Sequence, residues 1–186
     1  MRGLEALDAL ARFSFDRVLD IGSGDGSHAR YFQDIGKSVT TISLCAPADL
    51  IGDYLETDVD PVDCIWACHV LEHQPNPGLF LRKCFADLKD GGLLAVTVPP
   101  LKSEIVGGHV SLWNAGILLY HLILAGFDCS QAKVKTYGYN ISVVVRKKAR
   151  PALLLAMDAG DIEKLAPFFP MPVKHGFDGN ITEVNW

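Results

Sequence analysis

The sequence lacks any surplus of positive charge. Its 186 residues carry 17 Lys and Arg side chains against 22 Asp and Glu side chains, which gives a formal net charge of -5. Proteins dedicated to binding nucleic acid gather phosphates with basic patches, and this balance argues against such a partner. A small-molecule acceptor is therefore the expected binding partner.

The sequence also lacks a long apolar run and a secretion signal. Its longest apolar stretch, residues 115–127, is interrupted by two glycines and a histidine and is shorter than the roughly 20 residues that span a bilayer. The acidic residues Glu5 and Asp8 lie within the apolar pattern of the N-terminus, which is not typical of a signal peptide. We expect no membrane segment and no membrane partner.

A disulfide framework is missing as well. The cysteines are odd in number and scattered through segments of core-like composition, so reduced thiols and a cytoplasmic location are expected. These cysteines are Cys45, Cys64, Cys68, Cys84 and Cys129.

What is present is a regular alternation of strand and helix patterns, which indicates an α/β fold with a doubly wound, mostly parallel sheet. We expect seven strands, closed by an antiparallel pair at residues 127–136 and 140–146. A chain of this length forms one domain. We assign it to residues 1–147, with a C-terminal extension, 148–186, that packs on the domain or on a second subunit as a homodimer. Helices are predicted at 4–11, 27–35, 79–88, 112–125 and within 151–166, and the other strands at 18–21, 37–44, 49–51, 63–70 and 93–98.

The chain is organised around the stretch from Val18 to Arg30. A short apolar strand ends at three alternating glycines, which let the main chain turn and bring its N–H groups close to a ligand. Asp20 lies at the carboxyl end of this strand, where open α/β sheets bind ligands. The alternative is a tight strand-to-helix turn without a ligand. A dinucleotide loop has the spacing G-x-G-x-x-G, whereas here the third glycine comes one residue early.

The motif formed by Asp20 and the glycines Gly22, Gly24 and Gly26 resembles the first motif of the class I S-adenosylmethionine-dependent methyltransferases. A second resemblance is the segment His69-Val-Leu-Glu-His73 with its Pro-Asn-Pro turn, which is similar to a branch acting on small molecules and glycans. The resemblance implies a Rossmann-like methyltransferase fold and S-adenosylmethionine as cofactor. It implies that the cofactor is held by Asp20, Gly22, Ser23, Gly24, Gly26, Asp53, Tyr54 and His69, with Asp53 accepting from the adenine amino group and the Tyr54 N–H or ring nearby.

The second strand departs from the family pattern. Members of the family usually carry an acid at its end to hold the ribose hydroxyls, but this chain has Ser43, Leu44 and Cys45 there. We expect Ser43, or Asp49 from the next loop, to take that role. We also expect the family's usual second helix to be missing, because few residues precede the strand at 49–51.

Histidines near the expected crevice are the candidates for removing a proton from an acceptor hydroxyl, since histidine exchanges protons near neutral pH. We predict His109, in a glycine-containing loop with Trp113 as a cover, as the base or substrate ligand. His73 is the second candidate, and His69 is also interpreted as a core imidazole. Helix capping and loop packing remain the alternative for His73 and His109.

No metal ion is expected. Cys64 and Cys68 lie about 13 Å apart along an extended strand, so they cannot share a tetrahedral site. Glu72, His73 and His109 form a divalent-ion site only if their loops converge.

The sequence thus predicts methyl transfer from S-adenosylmethionine to a small molecule, at a hydroxyl of a sugar or glycan precursor. One alternative is a non-catalytic binding or scaffold protein that keeps the cofactor fold. A second is an NAD-dependent oxidoreductase, which the glycine spacing disfavours.

Overall fold

The computed structural model describes residues 2–186 and contains one eight-stranded sheet between two layers of helices. The strands are β1 (Arg17–Ile21), β2 (Ser38–Ser43), β3 (Leu50–Ile51), β4 (Val62–Cys68), β5 (Leu88–Val98), β6 (Lys133–Tyr137), β7 (Asn140–Arg146) and β8 (Glu183–Val184). The α-helices are α1 (Leu4–Leu10), α2 (Ser27–Asp34), α3 (Pro77–Asp87), α4 (Ala115–Ala125) and α5 (Asp161–Leu165). The predicted doubly wound architecture is confirmed.

The strand order is β3-β2-β1-β4-β5-β7-β6-β8. The first five strands of this order run parallel, while β7 is antiparallel to both of its neighbours. Strand β1 pairs with β2 on one side and β4 on the other, so the strand order reverses there. Open α/β sheets bind ligands in the crevice beyond the carboxyl ends of strands at such a reversal.

Each face of the sheet is covered by its own helices. On one face, α1 and α2 pack over Trp66, which is fully buried together with Leu10 and Phe32. On the other face, α3 and α4 bury Phe80 and Leu118 against the central strands. With apolar side chains buried on both faces, the central strands form a rigid frame whose loops carry the polar groups.

The sheet has eight strands where the sequence predicts seven. The additional strand, β8, comes from the C-terminal extension and pairs Val184 with Val134 of β6. Lys135 of β6 forms ion pairs with both Glu183 and Glu5, at 3.1 and 2.6 Å. An uncovered edge strand presents unpaired main-chain groups, and the extension satisfies part of this edge within its own chain. Dimerisation through the extension stays a prediction.

Two predicted elements are shorter in the structure. Strand β6 begins only at Lys133, because the Asp128 carboxylate accepts from Ser130 N at 3.0 Å and forms a local turn. Helix α4 begins at Ala115, because the Asn114 side chain accepts from Ile117 N and caps the helix.

Two other boundaries also differ from the prediction. Strand β5 begins at Leu88 and not at residue 93 as predicted. Of the helical pattern predicted within 151–166, the α-helix covers only Asp161–Leu165. A one-turn 3-10 helix, Ala166–Phe168, follows it.

The missing second helix is confirmed: between β2 and β4 the structure has only β3 and a one-turn 3-10 helix, Tyr54–Glu56. Within residues 2–186, no helix has the length and apolar character needed to cross a bilayer.

Candidate functional site

The glycine loop after β1 has left-handed backbone at each of its three glycines, with φ of 72°, 53° and 73° at Gly22, Gly24 and Gly26. The three positions differ in what surrounds them. A Cβ at Gly22 would lie 2.4 Å from a methyl carbon of Val70, so packing alone excludes a side chain there. A Cβ at Gly24 would meet only the Gly22 carbonyl oxygen, at 3.9 Å. Gly24 therefore borders open space in which a ligand can approach the main chain.

Two buried polar side chains accompany this loop without a protein partner. The Asp20 side chain is almost fully buried, and its Oδ2 atom makes no hydrogen bond within residues 2–186; the same is true of the Ser23 hydroxyl. Burial raises the pKa of Asp20 to about 7. Buried polar groups without partners are costly, so these atoms fit a bound ligand that offers an ammonium or hydroxyl group.

Ser43 and Asp49, the two residues expected to hold a ribose, lie near the end of β2 and differ in their contacts. The Ser43 carbonyl accepts from Gly52 N at 2.9 Å, which places this half-buried serine beside β3. The Asp49 carboxylate instead accepts from both the main-chain N and the hydroxyl of Thr41, at 2.8 and 2.7 Å. One carboxylate oxygen of Asp49 is thus held by a neighbouring strand residue, and a role of Asp49 at a ribose stays a prediction.

In the Gly52-Asp53-Tyr54 segment, the Asp53 side chain lies at the surface and the Tyr54 side chain lies in the core. Exposed Asp53 caps the 3-10 helix by accepting from Leu55 N at 2.9 Å. The Tyr54 ring is buried against Phe80 with ring centroids 5.2 Å apart, and its hydroxyl donates to Asp87 at 2.8 Å. The ring of Tyr54 is thus part of the core, and only its main chain is free to meet a ligand as predicted.

His69 lies just beyond β4, not inside it, with an unusual φ of 57°. Its Nε2 is 3.0 Å from the Asn140 side-chain oxygen and its Nδ1 is 3.1 Å from the Glu72 carboxylate. The predicted position inside the strand is therefore wrong, while the side chain is largely buried and belongs to a polar network at the end of the sheet. Its predicted contact with a cofactor stays a prediction.

The loops carrying His73 and His109 converge. His73 ends a 3-10 turn, Leu71–His73, and its Nδ1 donates to the Gly108 carbonyl at 2.8 Å. The main chain of Val110 donates to the Glu72 carbonyl at 2.9 Å, which ties the two loops together a second time. The rings of His73 and His109 meet edge to face with centroids 5.0 Å apart.

His109 also lines a cavity of about 200 Å³ beyond the carboxyl ends of the central strands. Pro100, Trp113 and Tyr139 contribute to its wall. Trp113, expected to cover a substrate, is buried, and its ring N–H donates to the Ser111 hydroxyl at 3.0 Å. It forms a fixed part of the wall.

Sequence reasoning missed Tyr139, whose ring stacks on His69 at 6.0 Å and lies 4.6 Å from the Lys102 ammonium. Strand β7 runs antiparallel to β5 and pairs Ile141 with Val98. The turn before β7 therefore lies at the same edge as the carboxyl end of β5. The predicted antiparallel closing pair was a signal that could have placed Tyr139 in the site.

Comparison with known proteins gives curated relatives that share part of the chain. The ubiquinone biosynthesis O-methyltransferase of Glaesserella parasuis is 32% identical over 104 residues, which cover 44% of each chain. The enzyme of the same name from Nitrobacter winogradskyi is 34% identical over 113 residues, covering 52% of this chain and 42% of the relative. The matches thus span less than half the length of either relative.

The fold is shared with solved methyltransferase structures. The 1,6-didemethyltoxoflavin-N1-methyltransferase of Burkholderia thailandensis, solved with bound 1,6-didemethyltoxoflavin and S-adenosylhomocysteine, superimposes with a TM-score of 0.66 at 20% identity. That alignment covers 79% of this chain and 77% of the other. The sequence profile described as a methyltransferase domain matches residues 2–121. The chain therefore belongs to the methyltransferase domain family, and the resemblance to class I S-adenosylmethionine-dependent methyltransferases is confirmed.

Proposed function

We propose that this chain transfers a methyl group from S-adenosylmethionine to a hydroxyl group of a small molecule. The observation that carries the proposal is a juxtaposition at one edge of the sheet. The glycine loop, with the buried and unpartnered Asp20 carboxyl, lies at the same edge as the cavity walled by His109. The O-methyltransferase names of the curated relatives and the S-adenosylhomocysteine bound in the Burkholderia enzyme support this assignment.

The residues around the glycine loop suit such a cofactor. Open space at Gly24 admits the cofactor's chain, and the Asp20 carboxylate and the Ser23 hydroxyl offer buried partners for its amino-acid end. Ser43 is the proposed ribose contact, and Asp53 is the proposed acceptor for the adenine amino group. S-adenosylmethionine supplies an already activated methyl carbon, so the protein has to align the acceptor, exclude water and remove a proton.

The cavity is the proposed acceptor site. Its wall combines the aromatic rings of Trp113 and Tyr139 with Pro100, surfaces on which a flat or apolar ring packs well. A ring-borne hydroxyl is therefore our first choice of acceptor. The sugar or glycan precursor predicted from the sequence is the second, because sugar rings also have apolar faces.

The His73–His109 pair is where we propose that the acceptor loses its proton. The Gly108 carbonyl fixes the orientation of His73, and His73 in turn packs edge to face on His109. An acceptor in the cavity contacts the His109 side of this pair. The loop that carries His109 is anchored to the 71–73 turn, so the ring is held in place before a substrate arrives.

A second candidate function is binding without turnover. It is favoured by the end of β2, where residues 43–45 include no acid and the Asp49 carboxylate is bound to Thr41. A protein that holds the cofactor weakly at the ribose is able to keep the fold and lose the reaction.

The two candidates are separated by two measurements on the same preparation. Isothermal calorimetry with S-adenosylmethionine and S-adenosylhomocysteine tests binding. Transfer of a labelled methyl group to a panel of phenols and sugars tests turnover. Binding with transfer supports the enzyme, and binding with no transfer to any member of the panel supports the second candidate. Stabilisation by NAD but by neither sulfur compound would contradict both.

A further inference from the structure

Glu72, His73 and His109 form the one group of three metal-ligating side chains that lies close together within residues 2–186. One carboxylate oxygen and one ring nitrogen from each histidine lie within 4.8 Å of one another. Glu72 Oε1 is 3.9 Å from His73 Nε2. Two imidazoles and a carboxylate are a common ligand set for first-row divalent metal ions.

The hydrogen bonds around the cluster prepare these atoms for a cation. Because a carbonyl only accepts, the contact with Gly108 puts the His73 proton on Nδ1 and leaves Nε2 with a free lone pair on the side of Glu72. Metal-binding histidines typically hold their second nitrogen in this way. Glu72 has an outer neighbour too, since its Oε1 lies 3.1 Å from His69 Nδ1, and His69 Nε2 donates to the Asn140 side-chain oxygen at 3.0 Å.

The burial of Glu72 is the independent sign that a ligand belongs here. Its side chain is completely buried, and within residues 2–186 its Oε2 atom has no hydrogen-bond partner. A buried carboxylate with an unsatisfied oxygen is strongly unfavourable unless a positive charge or donor completes it. A cation held between Glu72 and the two imidazoles supplies that charge.

The size of the site allows a first-row ion after a small closure. Ligand atoms bound at about 2.1 Å in a tetrahedron are about 3.4 Å apart. The three atoms lie within 4.8 Å of one another, so they must approach by up to about 1.4 Å. The loop that carries His109 contains the exposed glycines Gly107 and Gly108, whose backbone freedom permits such an adjustment. Because two of the three ligands are nitrogens, zinc, iron or cobalt suit the site better than calcium or magnesium.

We propose that Glu72, His73 and His109 bind one first-row divalent cation with an open coordination position toward the acceptor cavity. Binding of the cation stands on the geometry alone, while its role in the reaction rests on the proposed function. In that role the acceptor oxygen coordinates the cation, its O–H bond breaks, and the proton passes to solvent water. His109 is then a metal ligand, and it does not itself take the proton.

The test is a titration of the metal-stripped chain with Zn²⁺ and with Co²⁺, followed by calorimetry and by the visible absorption of bound Co²⁺. We expect one equivalent of each ion to bind, with absorption typical of nitrogen and oxygen ligands. His109→Ala should weaken binding at least about tenfold. His175→Ala, a change of the same residue type at an exposed position of the extension, should bind as the wild type does, and circular dichroism checks that both variants are folded.

The outcomes distinguish this proposal from the proposed function. No saturable binding, or equal affinity in wild type and His109→Ala, would overturn the metal site whatever the methyl-transfer assay gives. Methyl transfer that persists in the chelated protein would remove the cation from the reaction and return the proton to His109. One-to-one binding without methyl transfer to any acceptor would support the metal site while opposing the enzyme.

Discussion

Substitution of Gly24 by valine separates the stability of the glycine loop from its ability to bind a ligand. Gly24 has a φ of 53°, which costs a residue with a Cβ roughly 1–2 kcal/mol, and more for a β-branched one. No packing penalty adds to this, because its Cβ would meet only one carbonyl oxygen at 3.9 Å. We therefore expect a loss of about 2 kcal/mol in the free energy of unfolding. For a chain of this size that lowers Tm by about 4–8 °C, which leaves the protein folded.

The matched control is Gly36→Val. Gly36 follows α2, has a φ of 80°, and would place its Cβ in open space with nothing within 4 Å. It carries the same backbone strain far from the proposed ligand. The two variants should lose similar stability, measured by thermal unfolding.

Their binding should differ completely. At a concentration 100 times its Kd, S-adenosylhomocysteine should stabilise the wild type and Gly36→Val by about 2.7 kcal/mol. It should not stabilise Gly24→Val, because the valine side chain occupies the space next to the main chain where the cofactor approaches. Equal ligand stabilisation in the two variants would refute the assignment of this loop to the cofactor.

Other changes test separate parts of the site. Gly22→Ala should lower the free energy of unfolding by about 2–4 kcal/mol, because of left-handed backbone strain and the 2.4 Å contact with Val70. A second change, Val70→Ala, in the same chain should restore part of this loss. Denaturant unfolding that shows no recovery would contradict the packing argument. Burial raises the pKa of Asp20 to about 7, so the folded state binds this proton more tightly than the unfolded state does. The free energy of unfolding of the ligand-free protein should therefore fall by up to about 4 kcal/mol as pH rises from 4 to 8. Asp20→Asn should flatten that dependence and weaken cofactor binding, and an unchanged pH profile would oppose the assigned burial. His109→Ala should keep cofactor affinity within about twofold but lower methyl transfer by about 10²–10⁴-fold, and unchanged turnover would remove His109 from the reaction.

The sheet and the cofactor loop were predictable because their signals are local. The apolar run before Gly22 and the left-handed glycines after it define a buried strand and a turn without reference to distant residues. The absence of a helix after β2 followed from the few residues available before β3. These features depend on spacing, which the sequence displays directly.

Side-chain orientation was less predictable, because it depends on contacts between distant segments. Tyr54 looked like a ligand contact next to Asp53, but its hydroxyl finds Asp87, 33 positions later. Trp113 looked like a cover for a substrate, but its ring is buried against His121 with centroids 5.1 Å apart. In both cases burial of the aromatic ring stabilises the protein more than exposure of the ring to the crevice would.

The acceptor side required the three-dimensional structure most of all. His109 lies close to Glu72 and His73, although these residues lie on loops that follow different strands. The sequence pattern does not predict the distance between two such loops. The eighth strand is a similar case: two residues at the end of the extension add to the sheet edge, a pairing too short to leave a pattern.

The most direct test of the central claim is a crystal structure of this chain with S-adenosylhomocysteine. We predict that the ligand lies across the carboxyl edge of the sheet. Its amino-acid end should contact Asp20, and it should pack against the main chain of Gly24. Its sulfur should face the cavity lined by His109. A ligand bound elsewhere, or a glycine loop still filled by protein or solvent at saturating ligand, would contradict the account.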